Sequence, residues 1–168
     1  GEEPVEIALC SLREMKSEFL KAKVQGRTKI PRVVDDSEQT SEVPNGWSWA
    51  RIDDTGQYVN GLAFKAADWQ DSGIPIIRIQ NLSDPSKEFN YTHGNHPADR
   101  MVVTGDLLVS WSATLDVFVW DRGDGAVNQH IFKVIPEERV VAKNFLFYLL
   151  KHTIQVLAAS DALHGLAM

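Results

Sequence analysis

GDLLVSWSATLDVFVW, residues 105–120, is the stretch from which the rest of the chain is read. Two apolar runs, Leu107–Trp111 and Leu115–Trp120, flank a polar interruption at Ser112-Ala113-Thr114. β-Branched and aromatic residues dominate both runs. This predicts a pair of strands, with Gly105-Asp106 as the turn that launches the first. Small hydroxyl residues at a strand tip let another molecule approach closely, and they both donate and accept hydrogen bonds. The loop carries no nucleophile with a base beside it, so it reads as a recognition surface rather than a reaction centre.

Around this hairpin the chain offers 168 residues, room for one domain and an appendage. Hydrophobic residues make up 43% of it and five are Trp, enough for a true core. The one cysteine, Cys10, excludes an internal disulfide framework and fits a reducing compartment. No apolar run reaches membrane-spanning length, and the acidic opening GEEPVEIALC lacks the basic start of a signal peptide. The expectation is a cytoplasmic protein with no membrane partner. The net charge of −6 argues against indiscriminate nucleic-acid binding, which depends on neutralising phosphates. Basic residues concentrate between 13 and 32, whereas from Gly46 onward ten Lys/Arg face fourteen Asp/Glu. A DNA reader of this composition works through few, well-placed contacts or borrows positive charge from partners.

Downstream of the hairpin, Asp121–Gly125 reads as a turn and Ala126–Ile135 as a further strand, with Asn128-Gln129-His130 at its start and Pro136 at its end. Residues 142–159 read as a packed helix with an apolar face through Phe145, Leu146, Leu149, Val156 and Leu157. Asp161–Met168 reads as a loop-like tail. Upstream, Ile74–Leu82 reads as one buried strand, which sets Arg78 and Gln80 on the face opposite Ile77 and Ile79. Ser83–Arg100 reads as a surface loop. Its His93, His96 and Asp99 are a poor metal set without further ligands. Gln57–Phe64 reads as a short strand followed by an Asn-Gly turn, Lys65–Gln70 as a helical turn, and Ser48–Asp53 as a strand.

Residues 5–25 carry the period of a helix. Val5, Ala8, Leu12, Met15, Phe19 and Ala22 alternate spacings of three and four, the seam of a paired helix or of one folded onto its own domain. Gly26 reads as its stop, and the mixed charge and two prolines of residues 27–45 read as a linker. The predicted organisation is a spacer or pairing helix at 1–26, a linker at 27–45 and one domain at 46–168. Several strands, then a helix, with irregular connections, predict an α+β domain with a mixed or antiparallel sheet and flanking helices rather than regular βαβ winding.

Catalytic motifs for nucleotide hydrolysis, dinucleotide binding, esterase chemistry or zinc proteolysis are absent from the sequence. Ser110, Ser112, Asp106, Asp116 and His130 have triad types but no spacing that ties them together. Base reading fits the polar strand ends better. Gln80, Asn81, Asn128 and Gln129 have amides suited to bidentate pairing with adenine. Arg78 and Lys65 suit guanine or phosphate, and Ser112 and Thr114 suit bases or phosphates. Each has a structural alternative: the amides as partners of buried backbone, Arg78 as half of an internal ion pair, Trp111 and Trp120 as core.

The ordered blocks NGWSWARIDDTGQYVNGLAFK, GIPIIRIQNL, GDLLVSWSATLDVFVW, NQHIFKVI and, after a helix, HGLAM resemble the target recognition domain of type I restriction–modification specificity subunits, over Pro44–Met168. The resemblance implies a non-catalytic subunit that reads double-stranded DNA and has no cofactor of its own. It implies methylation subunits using S-adenosylmethionine and restriction subunits using ATP and Mg2+ as partners. It also makes Val5–Gln25 similar to the end of a spacer helix, which would pair with a second recognition domain or a second copy. Family members carry two recognition domains. One is present here, so a fragment or a half-subunit is expected, with most phosphate neutralisation left to the methylation subunits. The expected DNA contacts are Lys65, Arg78, Gln80, Asn81, Ser112, Thr114, Asn128, Gln129 and His164. The rival expectations are a recognition domain from a stand-alone DNA methyltransferase, and a protein-interaction module built on the Val5–Ala22 seam.

Overall fold

The computed structural model describes residues 4–23, 34 and 36–159, which divide into two compact units. One is drawn from Gly1–Gly56 and Pro136–Ala142, the other from Gln57–Ile135 and Lys143–Met168. The architecture is α+β, with two four-stranded sheets where the sequence reading expected one.

In the first unit, helix α1 (Val5–Lys23) follows the expected period, with Ala8, Leu9 and Leu12 buried by their own chain and Met15 exposed. The Arg13 guanidinium donates to the buried Asp54 carboxylate at 2.8 Å, and the Arg51 backbone N–H approaches the same oxygen at 3.3 Å. The first half of the seam is therefore folded onto its own chain. The side chains of Phe19 and Ala22, and residues 27–33 of the linker, lie outside the described residues. Ser48–Asp53 is not a strand. Ile52–Asp54 forms a 3-10 turn instead, because the Asp54 and Thr55 N–H groups donate back to the Arg51 and Ile52 carbonyls.

In the second unit the hairpin is present as read. β5 (Leu107–Ser112) pairs antiparallel with β6 (Thr114–Val119), from Leu107 opposite Val119 to Ser112 opposite Thr114. Ala113 closes the tip at φ +58°, a left-handed conformation that suits glycine better than alanine. β1 (Gly56–Asn60) and β8 (Ile131–Pro136) complete the first sheet in the order β1-β8-β5-β6. The second sheet runs β3-β2-β7-β4, from β2 (Ile74–Ile77), β3 (Asn90–Thr92), β4 (Met101–Val102) and β7 (Gly125–Val127). Ile77, Val102, Leu108, Trp120, Val127 and Ile131 form the core, with members from strands of both sheets.

Three expectations are corrected here. Ile74–Leu82 is not one strand: β2 stops at Ile77, and a short helix, α2 (Ile79–Ser83), starts after Arg78. Asn128-Gln129-His130 does not open a strand but joins β7 in one sheet to β8 in the other. Asn60-Gly61 is not a hairpin turn, because the chain there runs on to Leu62, which bridges Asn128 in parallel. The helix α3 (Lys143–Ala159) matches the sequence reading in extent but not in face. Leu146 and Leu150 are buried, whereas Phe145, Val156 and Leu157 are largely exposed. Ser83–Arg100 is less irregular than expected, holding β3 and a 3-10 turn at Ala98–Arg100. Just past α2, the Ser86 hydroxyl and backbone N–H donate to Asp84 and hold its carboxyl below the usual carboxylate range. Among the described residues no helix is long and apolar enough to cross a membrane.

Gly61 has a steric reason to be glycine. A Cβ there would lie 2.3 Å from the backbone oxygens of Val127 and Asn128, which cannot swing aside as a flexible side chain could. Gly61→Ala should lower stability by about 2–3 kcal/mol, whereas Ala113→Gly should raise it by about 0.5–1 kcal/mol. Denaturant unfolding of both variants checks the pair.

Candidate nucleic-acid interface

β2 and β7 run parallel, with Ile76 beside Ala126 and Ile77 beside Val127, so their C-terminal ends fall together. Arg78 and Asn128 are the next residues of the two strands, and the Asn128 N–H donates to the Ile77 carbonyl at 3.0 Å. β5 and β8 run antiparallel with Ser110 opposite Ile131. The register carries on past the ladder, where the Trp111 N–H donates to the His130 carbonyl at 3.2 Å. In that register the tip Ser112-Ala113-Thr114 falls level with the Asn128–His130 turn. Topology gathers Arg78, Gln80, Asn128, Gln129, Ser112 and Thr114 at this end of the unit, although they are dispersed in sequence.

Each side chain has a distinct setting. Gln80 and Gln129 are exposed, Asn128 and Ser112 half-buried, and Thr114 exposed. Three backbone groups of Asn128 and Gln129 are engaged, with Ile77 O, Leu62 O and Ile131 N as their partners. The Asn128 side-chain oxygen lies 3.4 Å from the His130 N–H, a long contact that holds the amide only loosely. Arg78 is half-buried with its guanidinium 5.2 Å from the centre of the Trp69 ring, a cation–π arrangement rather than the internal ion pair weighed from sequence. Lys65 is exposed and begins the 3-10 turn Ala66–Asp68, its N–H donating to the Asp68 carboxylate at 2.7 Å.

Asn81 does not belong to this surface. It is 1% exposed and caps α2 by accepting the Arg78 N–H at 3.0 Å. Its amide nitrogen donates to the Lys87 and Glu88 carbonyls at 3.2 and 3.1 Å. An amide holding three backbone groups in the interior has nothing left to offer a base. The single-strand reading of Ile74–Leu82 hid this role, because a cap is recognised only once the strand end is known. His164 lies outside the described residues.

The expectation that both tryptophans are core holds for Trp120, which is 2% exposed, and fails for Trp111, which is 45% exposed. Trp111 sits tilted against His130 and Phe132, with ring centres 5.5 and 6.2 Å away, and its indole N–H faces the Asn60 carboxamide oxygen at 3.4 Å. Trp69, Trp111, His130 and Asn60 also belong to this surface and are not among the DNA contacts expected from the sequence. The alternating pattern of β5 did not reveal that its last turn of alternation falls beyond the cover of the core.

The triad types make no catalytic set, although Ser110 lies opposite Asp116 and its hydroxyl accepts the Asp116 N–H at 3.2 Å. Asp106 accepts the Val103 N–H and pairs with Lys133 at 2.9 Å, while Asp116 accepts the Val117 N–H and lies 3.7 Å from Lys151. Ser110 is buried, with its hydroxyl on the Thr114 carbonyl. Among the described residues no group of three or more His, Cys, Asp or Glu is placed to hold a metal ion.

A two-sheet unit that presents amides, hydroxyls and a guanidinium from strand ends is a recognition module in form. Over residues 44–162 the chain matches the family described as the type I restriction modification DNA specificity domain, and it belongs to that family. Among curated proteins it is similar to the type I restriction enzyme EcoAI specificity subunit of Escherichia coli, 28% identical over 84 residues. That match covers 49% of this chain and 14% of the relative. Its fold is similar to the HsdS subunit from Thermoanaerobacter tengcongensis, with a TM-score of 0.58 and 14% identity over 93% of this chain and 37% of that one. It is also similar to a chain in a structure described as the basis of complex assembly and conformational transition of the type I R-M system, with a TM-score of 0.59 and 13% identity over 92% of this chain and 37% of that one. The chain therefore spans well under half the length of these relatives.

The two neighbouring amides of α2 should separate cleanly in a stability measurement. Asn81→Ala leaves three backbone groups without their partner and should cost about 2–3 kcal/mol. Gln80→Ala, on the exposed side of the same turn, should change stability by less than about 0.5 kcal/mol. Thermal unfolding followed by circular dichroism checks both.

Proposed function

We propose that this chain reads a short sequence in double-stranded DNA as the recognition part of a type I specificity subunit, without catalysing a reaction itself. The observation that carries the reading is the convergence of Arg78, Gln80, Asn128, Gln129, Ser112 and Thr114 at one end of the two sheets. These residues combine the donor and acceptor types that distinguish base pairs in the major groove with a cation suited to phosphate or guanine. Arg78 and Lys65 would supply affinity, and the amides and hydroxyls discrimination. His164 is retained as a proposed contact and Asn81 is not.

Chemistry would fall to partners: methylation subunits using S-adenosylmethionine and restriction subunits using ATP and Mg2+, with no cofactor held by this chain, all in the cytoplasm. From Met15 onward, through Phe19 and Ala22, α1 would supply the seam for a partner helix from a second recognition domain or a second copy. Support for this comes from the exposure of Met15, where Ala8 and Leu12 are already covered by their own chain.

Selection from a random duplex pool, followed by titration across a salt series, tests the proposal. A short common sequence should be enriched, and the slope of log affinity against log salt should correspond to about two or three phosphates. Lys65→Ala should weaken binding to all duplexes alike, whereas Gln129→Ala should lower the preference for the selected sequence about tenfold. Absence of any enriched sequence, or methyl transfer from labelled S-adenosylmethionine by the pure chain, would overturn the assignment.

A further inference from the structure

We infer that Trp111 reads the 5-methyl edge of a thymine in the major groove of the bound duplex, a contact that rests on the DNA-reading function proposed above. Trp111 shares its face of β5 with Leu107 and Val109. Leu107 is buried, yet Trp111, two alternations further on, is 45% exposed. A large apolar side chain is thus presented beside the polar tip Ser112–Thr114 and the Asn128–His130 turn, the surface where the duplex is placed.

What remains available on the indole is narrowly defined. Its one donor faces the Asn60 carboxamide oxygen. His130, tilted 51° at 5.5 Å, and Phe132, tilted 38° at 6.2 Å, lie against the ring system. The rest of the indole is hydrocarbon and offers a base no hydrogen bond. Among the groups displayed in the major groove, the thymine 5-methyl is the apolar one, and apolar side chains are its usual partners. Stacking on an unpaired base would require the duplex to open, a cost that a contact in the groove avoids. His130 and Phe132 hold the indole in place before binding, so little side-chain entropy is lost on contact.

The test uses the duplex selected from the random pool. Each thymine is replaced in turn by deoxyuridine, which removes the methyl group alone. The unmodified chain should lose about three- to fivefold in affinity at one position, the worth of one buried methyl group. W111A should bind the thymine and deoxyuridine duplexes equally. If W111A does not fold, W111L should narrow the difference at that position while keeping the affinity for the deoxyuridine duplex. Unchanged discrimination in these variants would overturn the inference. So would a selected duplex insensitive at every thymine, or one built of G·C pairs alone, and in either case the DNA-reading proposal would stand. A pool that yields no enriched sequence overturns both.

Discussion

The second unit depends on the backbone hydrogen bonds around residues 128–131, where the chain passes from one sheet to the other. The Asn128 N–H donates to Ile77 on β2, the Gln129 N–H to Leu62, and the Ile131 N–H back to Asn128. In the other direction Leu62 donates to Val127, Gly61 to Ile131 and Trp111 to His130. Strands of both sheets thereby converge on one four-residue segment. These hydrogen bonds fix how the two sheets meet. The approach is close enough that residue 61 has no room for a side chain.

That crossing supplies the surface on which the proposed DNA reading rests. Backbone hydrogen bonds to Ile77, Leu62 and Trp111 anchor residues 128–130, and the side chains of Asn128 and Gln129 extend from that anchored turn. Arg78 is restrained in the same way by the Trp69 ring, and Trp111 by His130 and Phe132. Groups held before binding lose less entropy on contact, which suits a chain of net charge −6 that cannot depend on bulk electrostatic attraction.

Polar residues of the same type serve opposite ends. Asn81 and Asn128 each follow a strand of the second sheet, yet one is sealed inside as the cap of α2 and the other stands at the surface. Ser110 and Ser112 differ likewise: the first is buried against the Thr114 carbonyl and the second reaches the hairpin tip. Residue type alone does not separate a surface side chain from a structural one. The number of backbone groups each side chain must satisfy does.

Local pattern determined the hairpin at 107–119, the extent of α3, the helical period of α1 and the α+β class, because alternation, helical spacing and turn residues act over a few neighbours. It also supplied the residue types that cluster at the strand ends. Tertiary structure decided the break of Ile74–Leu82 at Arg78, the split into two sheets, the burial of Asn81 and the exposure of Trp111. Those features depend on which distant backbone takes each hydrogen bond and on where the core ends, and neither is encoded in the spacing of adjacent residues.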